Sequence, residues 1–269
     1  MPLPKPFYWL ILLLLLPSCD MEKEINVMLP YHEPQLVVEC YLSPGRPFIA
    51  TVLESSNYFD APVPPLVPGA EVYITTPAGA RIKLDYKPNF NDDQNFYTHI
   101  STQKMLGKPG DIYALEVIDG KGRRVTGFTT VLPVVTIQEI TWKFNDKEKA
   151  YLLTTFQDNP ETRDFYRYMT HRNAVDGGTS TRDFATSDKL NNGEKTSYGS
   201  GYDYEAGDTL VVSLFHIEEQ YYDFVTSTED AKNANGNPFA QPSKIRSSVE
   251  GGIGIFTNLA VSKKKVIIK

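Results

Sequence analysis

From residue 36 to residue 132 the chain is a succession of short alternating apolar runs. Each is closed by a turn signal, and no 3.6-residue apolar period long enough for a domain helix interrupts them. That spacing restricts the first half to β structure. The runs cover 36–42, 48–54, 72–76, 82–86, 96–100, 112–118 and 124–132. Pro44-Gly45, Pro77-Ala78-Gly79, Pro109-Gly110-Asp111 and Asp119-Gly120-Lys121-Gly122 supply turns between them. In 112–118, Tyr113, Leu115 and Val117 share one face by the period of two. Residues 60–68 carry Pro62, Pro64, Pro65 and Pro68 and read as an extended loop, because proline has no N–H to give to a ladder. About seven short strands at regular spacing predict an immunoglobulin-like β-sandwich over 35–133.

Pro133 marks the expected boundary with a second β-rich domain, 134–269. Its predicted strands are 136–145 and 150–157, joined by the charged turn Asp146-Lys147-Glu148-Lys149, then 165–171 and 209–216. Residues 173–204, rich in Gly, Ser, Thr, Asn and Asp, are expected as a long loop or short irregular strands. One helix is predicted, over 217–232, with Tyr221, Phe224, Val225 and Thr228 on its apolar face. Glu218 and Glu219 suit its N-terminal dipole, and Asn235-Gly236-Asn237-Pro238 stops it. Residues 254–261 and 264–268 read as a closing hairpin. The fold class is therefore mainly β, with one packed helix.

The N-terminus carries a different signal. Lys5 precedes an apolar stretch from Phe7 to Leu16, and Leu16-Pro17-Ser18-Cys19 ends it. About 10 apolar residues are too few for a membrane-spanning helix, which needs ~20, but they match a signal-peptide core. The pattern resembles a bacterial lipobox. That resemblance implies cleavage after residue 18 and acylation of Cys19, with residues 19–34 as a tether. The alternative is a buried apolar segment that happens to precede a cysteine.

The net charge of −6 argues against nucleic acid as a partner, since a phosphate-binding face needs clustered Lys and Arg. Lys263-Lys264-Lys265 reads as a solvated strand edge. With Cys19 acylated, Cys40 has no disulfide partner and is expected to pack as a small hydrophobe inside 36–42.

Catalytic patterns are scarce. His32, His99, His171 and His216 form no HExxH or HxH arrangement, and no GxSxG elbow or P-loop occurs. Ser200, between Gly199 and Gly201, lacks the strand-then-helix setting of a nucleophile elbow. Gly251-Gly252-Ile253-Gly254 precedes a β-like tail, so backbone turning is favoured over dinucleotide binding. Asp92-Asp93 among asparagines offers oxygens for calcium but lacks EF-hand order, and a solvated loop is the plainer reading. Asp158, Glu161 and Asp164 offer paired acids, which glycoside hydrolysis uses only when they face each other across a sugar cleft. No catalytic residue, cofactor or metal ligand is therefore assigned. Of 16 tyrosines, Tyr58 (with Phe59), Tyr198, Tyr202 and Tyr204 lie in expected loops. Exposed aromatics there are candidates for ligand or partner contacts, against ordinary strand packing.

Several stretches carry a family resemblance. They are Leu36-Val37-Val38-Glu39, Val67-Pro68-Gly69-Ala70-Glu71-Val72, Pro109-Gly110-Asp111-Ile112-Tyr113-Ala114-Leu115, Tyr221-Tyr222-Asp223-Phe224, Asn237-Pro238-Phe239-Ala240-Gln241-Pro242 and Gly251-Gly252-Ile253-Gly254-Ile255-Phe256. Their order and spacing resemble DUF4249, a Bacteroidota lipoprotein family of unknown function. The first half also looks like a carboxypeptidase-regulatory-type sandwich. The acidic Asp20-Met21-Glu22-Lys23-Glu24 resembles a surface-export signal of such lipoproteins, or is simply a polar tether. Family members are often encoded beside TonB-dependent transporters. The resemblance thus implies a lipid-anchored outer-membrane protein, surface-displayed or periplasmic, with a TonB-dependent β-barrel transporter as partner. It carries over no catalytic residues. The expected function is a non-enzymatic accessory or binding subunit. The alternatives are an independent surface binder of glycan, peptide or chelated metal, and a hydrolase.

Overall fold

The computed structural model describes residues 33–56, 63, 65–91, 95–172, 181–234 and 243–269. Residues 34–269 form one compact unit. The predicted strands of the first half all form: β1 (Leu36–Leu42), β2 (Pro47–Glu54), β3 (Glu71–Thr75), β4 (Arg81–Phe90), β5 (Phe96–Lys104), β6 (Ile112–Ile118) and β7 (Arg124–Thr130). Alternation decides their inward faces. Leu36, Val38, Cys40 and Leu42 of β1 pack with Phe48, Ala50 and Val52 of β2 and with Tyr113, Leu115 and Val117 of β6. Cys40 is fully buried as a core hydrophobe, and burial pushes its thiol well above the ordinary range. Pro88, which lacks an N–H, falls where the β4–β5 register shifts between Tyr86 and Asn89.

The second half supplies β8 (Glu139–Phe144), β9 (Ala150–Gln157), β10 (Phe165–Arg172), β11 (Arg182–Ser187), β12 (Lys195–Gly199), β13 (Thr209–Ile217), helix α1 (Glu219–Ala234), β14 (Ile253–Asn258) and β15 (Ala260–Ile267). The segment 173–204 thus contains β11 and β12, with 173–180 outside the described residues. Three sheets result, ordered β14-β1-β2-β5-β4-β3-β6-β7, β11-β10-β13-β15 and β12-β9-β8.

The expected closing hairpin does not form. β14 leaves its neighbour in sequence and pairs in parallel with β1, from Val37 opposite Ile253 to Leu42 opposite Asn258. β15 instead pairs antiparallel with β13. The reason is burial. Residues 254–258 of β14 are all buried and need cover on both faces, whereas β15 exposes Lys263, Lys264 and Lys265 on a sheet edge. The first sheet curls until its two edge strands approach. Thr126 and Glu250 exchange backbone hydrogen bonds at 3.0 and 2.8 Å, and the Asn258 amide donates to Thr129 Oγ1 at 3.0 Å. The sheet is nearly closed.

The glycine run makes this approach feasible. A Cβ on Gly251 would sit 2.1 Å from the Arg124 carbonyl oxygen, and one on Gly252 would sit 2.6 Å from that of Leu36. Gly254 has φ +139° and lies against Val38. Only glycine accepts such a backbone without strain.

The helix begins later than predicted. Ile217 belongs to β13, where it pairs with Phe165 and is buried. Glu218 then offers its carbonyl to the Tyr221 and Tyr222 amides. Tyr221 is buried and Phe224 and Val225 are partly buried, but Ser227 is buried in place of Thr228. Its Oγ accepts from the Arg246 amide at 2.9 Å. Tyr221, Phe165 of β10 and Ile255 of β14 form a cluster that joins helix, second sheet and first sheet.

One buried group couples this fold to pH. His99 has no exposed surface, with Nε2 3.1 Å from the Ala70 carbonyl oxygen and Nδ1 2.8 Å from Thr98 Oγ1. Burial pushes the imidazole below its ordinary 6.5, and the Ala70 carbonyl opposes that shift. Above 6.5 the ring is neutral folded and unfolded. As pH falls from 6.5 towards the lower folded value, the unfolded chain takes a proton the folded chain refuses, so stability falls. The melting temperature is expected to drop between about pH 7.5 and pH 5.5, and His99→Gln to flatten part of that slope. Equal slopes in the two proteins would refute the assignment.

Candidate functional site

The aromatic candidates separate by burial. Tyr202 is 50% exposed and packs edge-on against Tyr151, with ring centroids 5.0 Å apart. Tyr198 is half-buried among Phe156, Tyr166, Tyr168 and Phe184. The expectation that Tyr204 is exposed is corrected: it has no exposed surface, and its hydroxyl meets Thr170 Oγ1 at 2.5 Å. It follows a polar loop, but its backbone pairs with Ala150, which turns the ring inward. Cys19, His32, Tyr58, Phe59, Asp92 and Asp93 lie outside the described residues.

A close polar grouping lies at one end of the second half. Asp158 directly follows β9, Asp164 directly precedes β10 and Asp188 directly follows β11. β10 and β11 pair antiparallel with Phe165 opposite Ser187, so the flanking residues Asp164 and Asp188 are brought together. One carboxylate oxygen from each of Asp158, Asp164 and Asp188 lies within 4.8 Å of the others. All three residues are buried, 2%, 5% and 1% exposed.

Each has defined partners. Asp158 Oδ1 accepts from the Tyr166 hydroxyl at 2.5 Å and Oδ2 from the Gly193 amide at 2.6 Å. Gly193 has φ +78°, and a Cβ there would meet Pro160 at 2.6 Å. Asp164 Oδ2 accepts from Thr162 Oγ1 at 2.9 Å, and Oδ1 lies 3.1 Å from His216 Nε2. The other nitrogen of His216, Nδ1, faces the Pro133 carbonyl oxygen at 2.9 Å. Asp188 Oδ2 accepts from the Asp164 amide at 2.8 Å, and Asp188 Oδ1 has no partner. Among the described residues, no Lys or Arg forms an ion pair with any of the three. Burial, then the hydrogen bond to Asp158 and the nearby carboxylates, push the Tyr166 hydroxyl far above its ordinary range, so it stays a donor. Tyr198 is raised by burial and then by Asp158 and Asp188.

The sequence offers Asp158, Glu161 and Asp164 as paired acids. The structure unites two of them and leaves Glu161 exposed in the loop. Asp188, the third member, was missed. Its one sequence signal is its place at the end of a short run, 182–187, that only pairing with β10 brings near. The carboxylates are buried rather than arrayed across an open cleft, which is not the setting paired acids need on a sugar. The group's chemical capacity is that of an all-oxygen, anionic pocket with a histidine at its side.

A family described as Domain of unknown function (DUF4249) matches residues 22–265. No curated protein matches the chain. Among solved structures, a segment of two fibronectin type-III domains from chicken tenascin is 16% identical, over 68% of this chain and 91% of that one, at a TM-score of 0.22. A DUF4785 family protein from Legionella pneumophila is 14% identical over 66% of this chain and 52% of that one, at 0.24. A mutant Salmonella alpha-2-macroglobulin is 13% identical over 75% of this chain and 15% of that one, at 0.26. At such TM-scores these likenesses carry no further weight.

Proposed function

The chain belongs to DUF4249, a family of Bacteroidota outer-membrane lipoproteins of unknown function, and from that membership we propose a non-enzymatic accessory or binding subunit of an envelope complex. In this reading acyl chains on Cys19 hold the protein at the outer membrane, and a TonB-dependent β-barrel transporter is its partner. The observation that carries it is the reach of the family match, which begins just after Cys19 and runs almost to the chain end. The apolar stretch before Cys19 supports the anchor. The domains are read as an immunoglobulin-like module over 35–133 and a β-rich module over 134–269 that returns β14 to the first sheet. Such a scaffold presents loops for contact.

A second reading, an independent surface binder of glycan or peptide, is favoured by the exposed Tyr202 beside Tyr151.

The deciding experiment is purification of the tagged native lipoprotein from its own outer membrane in mild detergent, with mass spectrometry of what accompanies it. A stoichiometric β-barrel transporter is expected. Recovery of the protein alone across growth conditions would sink the accessory reading and leave the binder. The anchor has its own test. Two or more acyl chains are needed for stable attachment, so Cys19→Ser is expected to move most of the protein from the membrane to the soluble fraction. Unchanged fractionation would refute lipidation at Cys19.

A further inference from the structure

Asp158, Asp164 and Asp188 crowd three buried carboxylates together at one end of the second half. Both ring nitrogens of His216 face oxygen acceptors, the Pro133 carbonyl and Asp164 Oδ1. The rest of the carboxylate cluster is met by neutral donors alone, the Tyr166 hydroxyl and the Gly193 amide on Asp158, Thr162 Oγ1 on Asp164 and the Asp164 amide on Asp188. No Lys or Arg ion-pairs with it among the described residues, and its members are at most 5% exposed. Like charges this close and this dry repel strongly unless a cation or further protons intervene. The orphan oxygen is the second observation. Asp188 is 1% exposed, yet its Oδ1 meets no donor at all, and the great majority of buried polar atoms are satisfied.

We propose that Asp158, Asp164 and Asp188 hold one hard divalent cation of the calcium class. The donor set is all oxygen, which selects calcium or magnesium over zinc or copper. Oxygens on a calcium ion lie at about 2.4 Å, so any two are at most ~4.8 Å apart. The three carboxylates meet that limit. Magnesium demands shorter, near-octahedral coordination, whereas donors from three separate strand ends suit the more adaptable ion. His216 acts as a positioning residue that orients the Asp164 carboxylate from behind. The Gly193 amide and the Tyr166 hydroxyl do the same for Asp158. Binding would tie 158–164 to 188–194 and so brace the end of the second half. This inference does not depend on the transporter partnership, and its test reads a different quantity.

The full-length chain in neutral detergent, stripped with EDTA, is titrated with calcium by calorimetry and with terbium by luminescence. Tyr166 and Tyr198, adjacent to the cluster, serve as sensitisers. One calcium per chain is expected, with a melting temperature that rises by several degrees at 1 mM calcium and falls back with EDTA. Terbium emission under tyrosine excitation should be displaced by calcium. Asp188→Asn should lower calcium affinity at least tenfold, while Asp146→Asn, in an exposed turn, should leave it unchanged. A wild-type chain with no calcium heat and no change in melting overturns the proposal even if Asp188→Asn fails to fold. So does terbium emission that survives in Asp188→Asn, which marks adventitious surface binding. An Asp188→Asn chain that melts higher than a calcium-indifferent wild type would show shared protons in place of a cation.

Discussion

Gly254→Ala is expected to cost about 4 kcal/mol or more and to leave little folded protein at 37 °C. A Cβ at this position would lie 1.8 Å from the Val38 carbonyl oxygen, 2.7 Å from its carbonyl carbon and 3.0 Å from its nitrogen. These are backbone atoms of β1, the strand beside β14 in the first sheet, so no side chain can swing away to relieve the overlap. The φ of +139° adds backbone strain for any L side chain. Relief requires β14 to separate from β1, which would uncover Ile255 and Phe256, both without exposed surface. Gly69→Ala is the control, because nothing lies within 4 Å of a Cβ there. It should fall within about 0.5 kcal/mol of the parent. Urea denaturation of the three proteins decides the matter. A Gly254→Ala chain within about 1 kcal/mol of the parent would mean that β14 does not pair with β1 in this register.

Glu218→Ala is the second large effect, expected at about 3 kcal/mol. The Glu218 carboxylate is half-buried where β13 passes into α1. It accepts from Thr129 Oγ1, from the Thr130 amide at 2.9 Å, from Thr257 Oγ1 at 3.2 Å and from Gln220 Nε2 at 3.1 Å. One side chain thus ties β7 and β14 to the helix start, at the seam where the first sheet nearly closes. Hydrogen bonds to a charged acceptor contribute about 1.5–3 kcal/mol each, and removing the acceptor leaves buried donors unsatisfied. Glu218→Gln keeps an acceptor but not the charge and should lose roughly half as much. A cycle with Thr257→Val should show coupling of about 1 kcal/mol. A loss below 1 kcal/mol for Glu218→Ala, with the urea dependence unchanged, would show that the seam is held by packing alone.

The parts of this molecule legible in its sequence are those fixed by local chemistry. The alternation of Tyr113, Leu115 and Val117 against Ala114, Glu116 and Ile118 states which face of β6 is inside, and the turns on either side bound it. Cys40 was readable as core because its neighbours alternate in the same way. The parts that stayed hidden depend on which distant segments meet. β14 is buried along almost its whole length, so its pattern names no partner, and parallel pairing with β1 spans most of the chain. The glycines before it and at its second position announced a special backbone need, but not the carbonyls of Arg124, Leu36 and Val38 that create it. Asp188 offered only its place at the end of a short run, because the β10–β11 pairing is what carries it to Asp164. Tyr204 misled for the opposite reason. Its polar surroundings in sequence are those of a loop, while its backbone bonds to Ala150 place the ring in the core.

The parallel pairing of β1 with β14 also sets an order of assembly. A lipoprotein is exported amino end first, so β1 emerges long before the strand that completes its sheet. Until residues 253–258 arrive, the outer edge of β1 offers unpaired N–H and C=O groups to any passing strand. Closure waits on a contact between opposite ends of the chain, and such non-local contacts make folding slow. Until then the newly delivered chain is a sheet with an open margin. A chain cut short before residue 253 would stay in that state, with a standing tendency to add a strand from a neighbour.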